Sequence, residues 1–482
     1  MNLDDLTRVL AASETGANGA IEIADLAYDT TYVGPGAVFF CVPGARADGH
    51  DFAERAVAAG AIALVVERPL ELDVPQLLVD DARASMAVAA DAFFGEPTRA
   101  LEVAGVTGTN GKTTSAFLLR SVLQAAGRRA GLIGTVEWVV GGITRPAPHT
   151  TPEAIDLQRL FREMLDGGDE SVAVEASSHG SELRRLDRVR FDALVFTNLS
   201  QDHLDLHGTM EDYYQAKRRL FVGAQPPPAA VNIGGEYGRR LAVELAEARR
   251  APLVTFGITE GAEIRPEALE VGPRGSRFRA AGIAIETALR GRFNVENVLG
   301  VIAAGILLDV DDDAIAEGVR AMTGVQGRFE GIDEGQPFAV IVDYAHTPDS
   351  LDIVLEAARE LAERRVICVF GAGGDRDRGK RPVMGAVAAQ RADVVIITSD
   401  NPRSEDPLAI IQDILQGAGT RVEIDPDRRS AIRRAVSLAG PGDVVVIAGK
   451  GHEQGQEIGG VVVPFDDRAV AVDALREAGF NA

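Results

Sequence analysis

Lysine is nearly missing from this 482-residue chain. Of its 49 basic side chains four are lysine (Lys112, Lys217, Lys380 and Lys450), and the remaining 45 are arginine. Arginine therefore serves wherever a positive charge alone is wanted, and lysine is expected where a compact, rotatable or nucleophilic amine is needed. Cysteine is scarcer still. Cys41 and Cys368 stand alone in apolar runs, which excludes a disulfide framework and a thiolate zinc site. No apolar run reaches the ~18 residues of a membrane span. The opening MNLDDLTRVLAASETG is acidic where a signal peptide is basic. A basic excess is also absent: the net charge of -23 argues against a nucleic-acid partner, though local cationic pockets can still hold anionic substrates. These absences point to a cytoplasmic enzyme without membrane insertion, and a hydrophobic content of 46% provides for sizeable cores.

The length allows roughly three domains of ~150 residues. Two breaks are marked, one at Pro97 and one where Gly324 and Gly327 bracket a linker, giving divisions at 1–98, 99–326 and 327–482. Apolar strand-like runs occur at 37–42, 61–66, 101–106, 171–175 and 193–198. In the last division AVIVD, VICVFG, DVVIITSD and DVVVIAGKG alternate with helical patterns. Such alternation predicts an α/β fold with parallel sheets covered by helices. Those four runs end in DYAHTPDS, GAGGDRDRGKRP, SDNPRSEDP and AGKGHEQ. Ligands bind beyond the carboxyl ends of parallel strands, so these loops predict a binding face.

The lysines fall in these loops and two further motifs. GTNGKTT (108–114) follows a strand and opens a helix. Its glycines let backbone N–H groups approach phosphates, Lys112 reaches the β- and γ-phosphates, and Thr113 suits Mg²⁺. Strict P-loop spacing puts the first glycine at Val106, whereas Gly105 stands one residue early. EASSHG (175–180) places Glu175 at a strand end, fit for a second Mg²⁺ oxygen. SQDHLDLHG (200–208) gathers acids and imidazoles, with His203 as the metal candidate; the plainer alternative makes Asp202 a helix cap and His207 a surface residue. Lys217, in YYQAK, can add CO₂ to become an oxygen-donating carbamate, which arginine cannot; taken alone, a helical lysine is more often solvated. Arg403 can clamp a carboxylate in two-pronged fashion, Arg376 adds a second guanidinium, and Glu453 can receive an ammonium. The plainer reading of these three is a surface salt-bridge network.

Together these motifs, with HTTPEA (149–154), GRFNVENVLG (291–300) and DYAHTPDSL, resemble the Mur ligase family along essentially the whole chain. The resemblance implies a small N-terminal α/β domain that binds a UDP-substrate, a central P-loop ATPase-like parallel-sheet domain, and a C-terminal Rossmann-like domain that binds an amino acid. It implies an ATP- and Mg²⁺-dependent amide ligase of peptidoglycan precursor synthesis, working as a monomer through an acyl phosphate. By resemblance Gly108, Thr109, Asn110, Gly111, Lys112, Thr113, Thr114, Asn294, Asn297, Arg328, Asp343 and His346 contact the nucleotide. Thr113, Glu175, His203 and a carbamylated Lys217 hold the metal. Thr30, Ala45, Arg46, Ala47, His149, Thr150, Thr151, Ser177 and Arg185 hold a UDP-N-acetylmuramoyl dipeptide. Arg376, Asp400, Asn401, Pro402, Arg403, Gly449 and Glu453 hold the incoming amino acid. DNPR implies meso-2,6-diaminopimelate, whose distal carboxylate Arg403 suits; L-lysine and a folylpolyglutamate-synthetase-like activity are the alternatives. Where the family often has Asp-Ser-Arg, this chain reads Asp29-Thr30-Thr31, keeping a hydroxyl and losing the arginine. Lys380 and Lys450 have a location and no assigned role.

Overall fold

The computed structural model describes residues 1–15, 20–44, 47–272, 274–419 and 422–481. The chain divides into two compact units, 1–105 with 127–194 and 216–228, and 106–126 with 195–215 and 229–482. The strand Glu102–Thr107 and the helix Met210–Arg218 each run from one into the other.

In the first unit Ser13–Thr15, Gln76–Leu78, Ala61–Val66, Ala37–Phe40 and Asp25–Ala27 form a sheet in that order, parallel except for Ser13–Thr15 at its edge. The period of two in a strand is visible in the core. Val38 and Phe40 pack with Leu3, Leu77 and Met86, while Phe39 packs with Ala56, Leu64 and Val66 on the other face. Helix Ala82–Phe93 starts at Asp81, whose carboxylate accepts from Ala84 N at 2.8 Å, and it packs with helix Ala154–Asp166. Further along the chain Ser171–Glu175 runs parallel to Ala130–Ile133, followed by the antiparallel Glu137–Val140 and Ile143–Pro146.

The second unit contains a six-stranded sheet in the order Glu330–Ile332, Ala339–Asp343, Val444–Ala448, Val366–Phe370, Val394–Ile397, Glu423–Ile424, antiparallel at the first pair alone. Helices Pro348–Leu361, Lys380–Arg391 and Pro407–Ala418 cover one face, and Arg428–Leu438 with Asp467–Glu477 the other. Burial on both faces explains why these strands read as continuous apolar runs. Cys368 lies inside one of them, whereas Cys41 stands just after Ala37–Phe40. Both thiols are free, and burial pushes each up to about 12. Among the described residues, no helix is long and apolar enough to cross a membrane.

Arg381 is fully buried at the start of helix Lys380–Arg391 and donates to Glu405 at 2.8 and 3.0 Å and to Asp413 at 2.9 Å. Those bonds hold the Glu405 carboxyl down at about 2, from its usual 4.5. Its stabilising contribution is therefore complete above pH 4.5 and lost as the pH falls through about 2. Glu405→Gln is expected to lower stability at neutral pH by about 2 kcal/mol, less than full loss of a buried partner because Asp413 still faces Arg381. It should also flatten the acid limb. Urea midpoints at neutral and acid pH measure both effects, and an unchanged acid limb counts against the pair.

Candidate active site

The strand Glu102–Thr107 delivers the loop 108–111, and Lys112 begins helix Lys112–Ala125. Two glycines make this turn possible. Gly108 has φ +149°, and a Cβ on it would stand 1.9 Å from Thr197 Oγ1; Gly111 has φ +87°, and a Cβ would meet Asn297 Oδ1 at 2.2 Å. No side chain caps the helix, so its first N–H groups and dipole face the loop, an arrangement that favours phosphate. Lys112 Nζ donates to the carbonyls of Gly108 at 2.9 Å and Thr109 at 2.8 Å. Asn110 is fixed from two sides: its N–H donates to Asn198 Oδ1 at 2.8 Å, and its side-chain amide to Asp349 at 2.7 Å. The Thr109 and Tyr213 hydroxyls lie 3.1 Å apart, and Thr113 and Thr114 are buried in the first helical turn.

The other residues expected at a nucleotide gather in this same unit. Arg328 donates to Thr113 Oγ1 at 3.1 Å and lies 4.4 Å over the Tyr344 ring. Asn297 donates to Asn294 at 3.0 Å, and Asn294 to the Arg290 carbonyl at 2.8 Å. Asp343 accepts from Phe329 N at 2.6 Å and Ala345 N at 2.7 Å; its burial pushes the carboxyl up, with Arg328 pulling the other way. Burial and the nearby Lys380 hold His346 below the usual histidine range. Burial alone would raise Asp202, but His203, His346, Lys112 and Lys380 around it hold it below its usual value. Two of the four lysines thus act on one carboxylate.

In the first unit Glu175 is fully buried. Its oxygens accept from Thr135 N at 2.7 Å and Thr135 Oγ1 at 3.0 Å, and Thr135 Oγ1 lies 3.0 Å from that of Thr150. The Thr151 hydroxyl donates to the Glu175 carbonyl at 2.7 Å and lies 2.9 Å from the Ser177 hydroxyl, and Ser177 caps helix Ser178–Glu182. Arg185 binds Glu153 at 2.7 Å and the Thr151 carbonyl at 2.9 Å. His149 and Ala47 are exposed and Thr30 is half-buried; Ala45 and Arg46 lie outside the described residues. Lys217, near the end of helix Met210–Arg218, is 1% exposed, which removes the reading of a solvated surface lysine.

Two other plain readings are also corrected. His207 is buried and stacks on Tyr213 at 5.0 Å between ring centres, because the aromatic face of the following helix covers it. Asp202 does not cap the short helix Leu204–His207; the capping position is His203, left-handed at φ +54°, and Asp202 instead accepts from His203 N at 2.9 Å.

The loops expected to hold an amino acid lie at the carboxyl ends of adjacent parallel strands in the second unit. Asn401 donates to Glu453 at 2.8 Å, and Pro402 is buried behind it. Arg403 takes a left-handed φ of +54°, its N–H donating to the Glu457 carbonyl at 2.9 Å and its guanidinium to the Gly374 carbonyl at 2.6 Å. The Arg403–Glu457 ion pair spans 3.4 Å, so part of the expected salt-bridge network exists. Gly449, at φ +121°, lies so close to Asp400 that a Cβ would meet Oδ2 at 2.6 Å. Arg376 is exposed in the loop facing Arg403. Sequence reasoning missed Thr135, Asn198, Asp349 and Glu457 as supporting groups; Asn198, just beyond the strand Ala193–Phe196, and Asp349, inside DYAHTPDS, carried a signal.

Comparison with known proteins places these motifs in company. Three family models match: "Mur ligase family, catalytic domain" over residues 22–111, "Mur ligase middle domain" over 106–305, and "Mur ligase, glutamate ligase domain" over 327–451. A protein of Geobacillus thermodenitrificans (strain NG80-2) named UDP-N-acetylmuramoyl-L-alanyl-D-glutamate--2,6-diaminopimelate ligase is 46% identical, covering 99% of this chain and 100% of its own. A solved structure of a ligase of that same name superposes with a TM-score of 0.70 at 32% identity over 99% of both chains. Mycobacterium tuberculosis folylpolyglutamate synthase, complexed with ADP and AMPPCP, shares the fold at a TM-score of 0.64 and 20% identity, over 76% of this chain and 92% of its own.

Proposed function

This chain belongs to the Mur ligase family, and from that premise we infer that it joins 2,6-diaminopimelate to UDP-N-acetylmuramoyl-L-alanyl-D-glutamate in an ATP-dependent reaction. The observation that carries the choice of amino acid is the pairing of loops on one sheet edge. Asn401, two residues before Arg403, is bonded directly to Glu453, so a guanidinium and a carboxylate are borne by two loops tied to each other. Diaminopimelate offers an ammonium and a carboxylate at its distal end, where lysine has the ammonium alone. A site built for that carboxylate leaves a polar group unpaired when lysine binds.

In the reaction an oxygen of the dipeptide's carboxylate attacks the γ-phosphorus, the bond to ADP breaks, and an acyl phosphate forms. The amino group of diaminopimelate then attacks the acyl carbon, phosphate leaves, and the amine gives up its proton. The loop 108–114 binds the phosphates of ATP, with Lys112 following the charge as it moves. Asn294, Asn297, Arg328, Asp343 and His346 hold the rest of the nucleotide. Thr30, Ala45, Arg46, Ala47, His149, Thr150, Thr151, Ser177 and Arg185 hold the UDP-dipeptide, and Arg376, Asp400, Arg403, Gly449 and Glu453 the amino acid.

Mg²⁺ fits the donors present. Among the described residues, no three His, Cys, Asp or Glu side chains form a cage. Mg²⁺ prefers one or two protein oxygens completed by phosphates and water, and the hydroxyl of Thr113 and the buried carboxylate of Glu175 are hard donors of that kind. Thr113, Glu175, His203 and a carbamylated Lys217 would hold it, and when bound it neutralises charge on phosphate oxygens. Glu175 is kept in one orientation by Thr135. A division at 1–98, 99–326 and 327–482 is in keeping with three family models that follow one another along the chain, the last starting at 327. Two free, buried cysteines and the use of ATP suit the cytoplasm; a monomer is what the family resemblance implies.

Arg403→Met tests the amino-acid assignment. Loss of about 2–3 kcal/mol at a charged hydrogen bond is expected to raise the KM for diaminopimelate roughly 30- to 150-fold, with the KM for ATP unmoved. An unchanged KM for diaminopimelate would remove Arg403 from the site.

A further inference from the structure

Lys450 is the one lysine whose surroundings explain its chemistry without yet giving it a task. It is fully buried at the carboxyl end of the strand Val444–Ala448. Its Nζ donates to Asn401 Oδ1 at 2.9 Å and to Glu453 Oε2 at 2.8 Å, and lies 4.0 Å from Asp400 Oδ1. Asn401 closes the triangle by donating to the same Glu453 Oε2 at 2.8 Å. Among the described residues, both bonds to Glu453 fall on Oε2 and none on Oε1. The Glu453 side chain is 31% exposed, while Lys450 and Asp400 are buried beneath it.

We propose that Lys450 is a positioning residue for amino-acid recognition: its ammonium fastens the Asn401 loop to the Glu453 loop and leaves Glu453 Oε1 presented to the ammonium of the incoming amino acid. The inference rests on the amino-acid site proposed above. Charge balance favours it. Asp400 and Glu453 carry two negative charges against one from Lys450, and the neighbouring Arg428 is matched by Asp467 at 2.6 Å. A negative charge therefore remains for the substrate's ammonium. Two acceptors at hydrogen-bond distance and a third, carboxylate oxygen at 4.0 Å surround one point, which suits a compact ammonium; the wide planar fork of a guanidinium does not fit there. That requirement explains a lysine in a chain that otherwise uses arginine.

Lys450→Met, close in length and volume, removes the charge and both bonds. With the full-length enzyme, its KM for diaminopimelate is expected to rise about tenfold, with kcat changed less and the KM values for ATP and the UDP-dipeptide within about twofold of wild type. Lys450→Arg should fail to restore the wild-type KM, and Lys450→Gln serves as a second variant if Lys450→Met folds poorly. A merely structural lysine would lower the melting temperature and move all three KM values together or none. Either pattern overturns the inference, as does failure of both Lys450→Met and Lys450→Gln to fold. Glu453→Gln, measured alongside, separates the two levels. If it leaves the KM for diaminopimelate unchanged, the amino-acid site itself is misplaced. If it raises that KM while Lys450→Met does not, the role of Lys450 alone falls.

Discussion

Lys112→Met is expected to lower kcat/KM by about 10³-fold, or ~4 kcal/mol of transition-state stabilisation. The ammonium already lies over the loop, held on the carbonyls of Gly108 and Thr109, beside the place where the phosphates are expected. The loop itself has no slack. Gly108 and Gly111 press against Thr197 and Asn297, and Asn110 is pinned by Asn198 and Asp349. The wider, planar guanidinium of Lys112→Arg does not fit the place of an ammonium there, so that variant should be nearly as damaged. Stability should move little, because the bonds of Lys112 to Gly108 and Thr109 stay within its own loop. Initial rates at saturating ATP and urea midpoints measure both; a loss below tenfold would contradict the role.

Lys217→Arg is expected to abolish all but about 1% of activity or less, an effect of roughly 10² to 10³. The side chain is 1% exposed, so its absence from the surface is settled, and carbamylation turns a cation into an oxygen donor suited to Mg²⁺. Wild-type activity should fall in CO₂-depleted buffer and return with bicarbonate, while Lys217→Arg should respond to neither. With ¹³C-labelled CO₂, a carbamate resonance should appear in the wild type and be missing in the variant. Full activity of Lys217→Arg, independent of CO₂, would contradict the carbamate.

The severity expected at these positions returns to the composition. Scarcity made the lysines conspicuous, and the structure places each in a distinct environment. Lys112 lies on the carbonyls of loop 108–111, Lys217 is buried near the end of a helix, and Lys380 lends its charge around Asp202. Lys450 is sealed between two loops. The central strands of the last sheet were legible because burial on both faces leaves an apolar run; their starts were right to within a residue, while DVVIITSD and DVVVIAGKG ran three residues past the strand ends at Ile397 and Ala448. Their order was not legible. Val444–Ala448 lies between Ala339–Asp343 and Val366–Phe370, a pairing across about a hundred residues that no local pattern encodes. The antiparallel edge strand Glu330–Ile332 was unread for a related reason: it is short and half-exposed. Side-chain partners were the least legible. Thr135 beside Glu175 and Asp349 beside Asn110 are meetings made by tertiary packing.

The most direct measurement is phosphate release from ATP with Mg²⁺ and UDP-N-acetylmuramoyl-L-alanyl-D-glutamate, comparing diaminopimelate with lysine. Release should be strongly stimulated by diaminopimelate and scarcely by lysine, with the UDP-tripeptide accumulating in step. Stimulation by neither amino acid would contradict the ligase assignment, and stimulation by lysine alone would contradict the specificity assigned to Arg403 and Glu453.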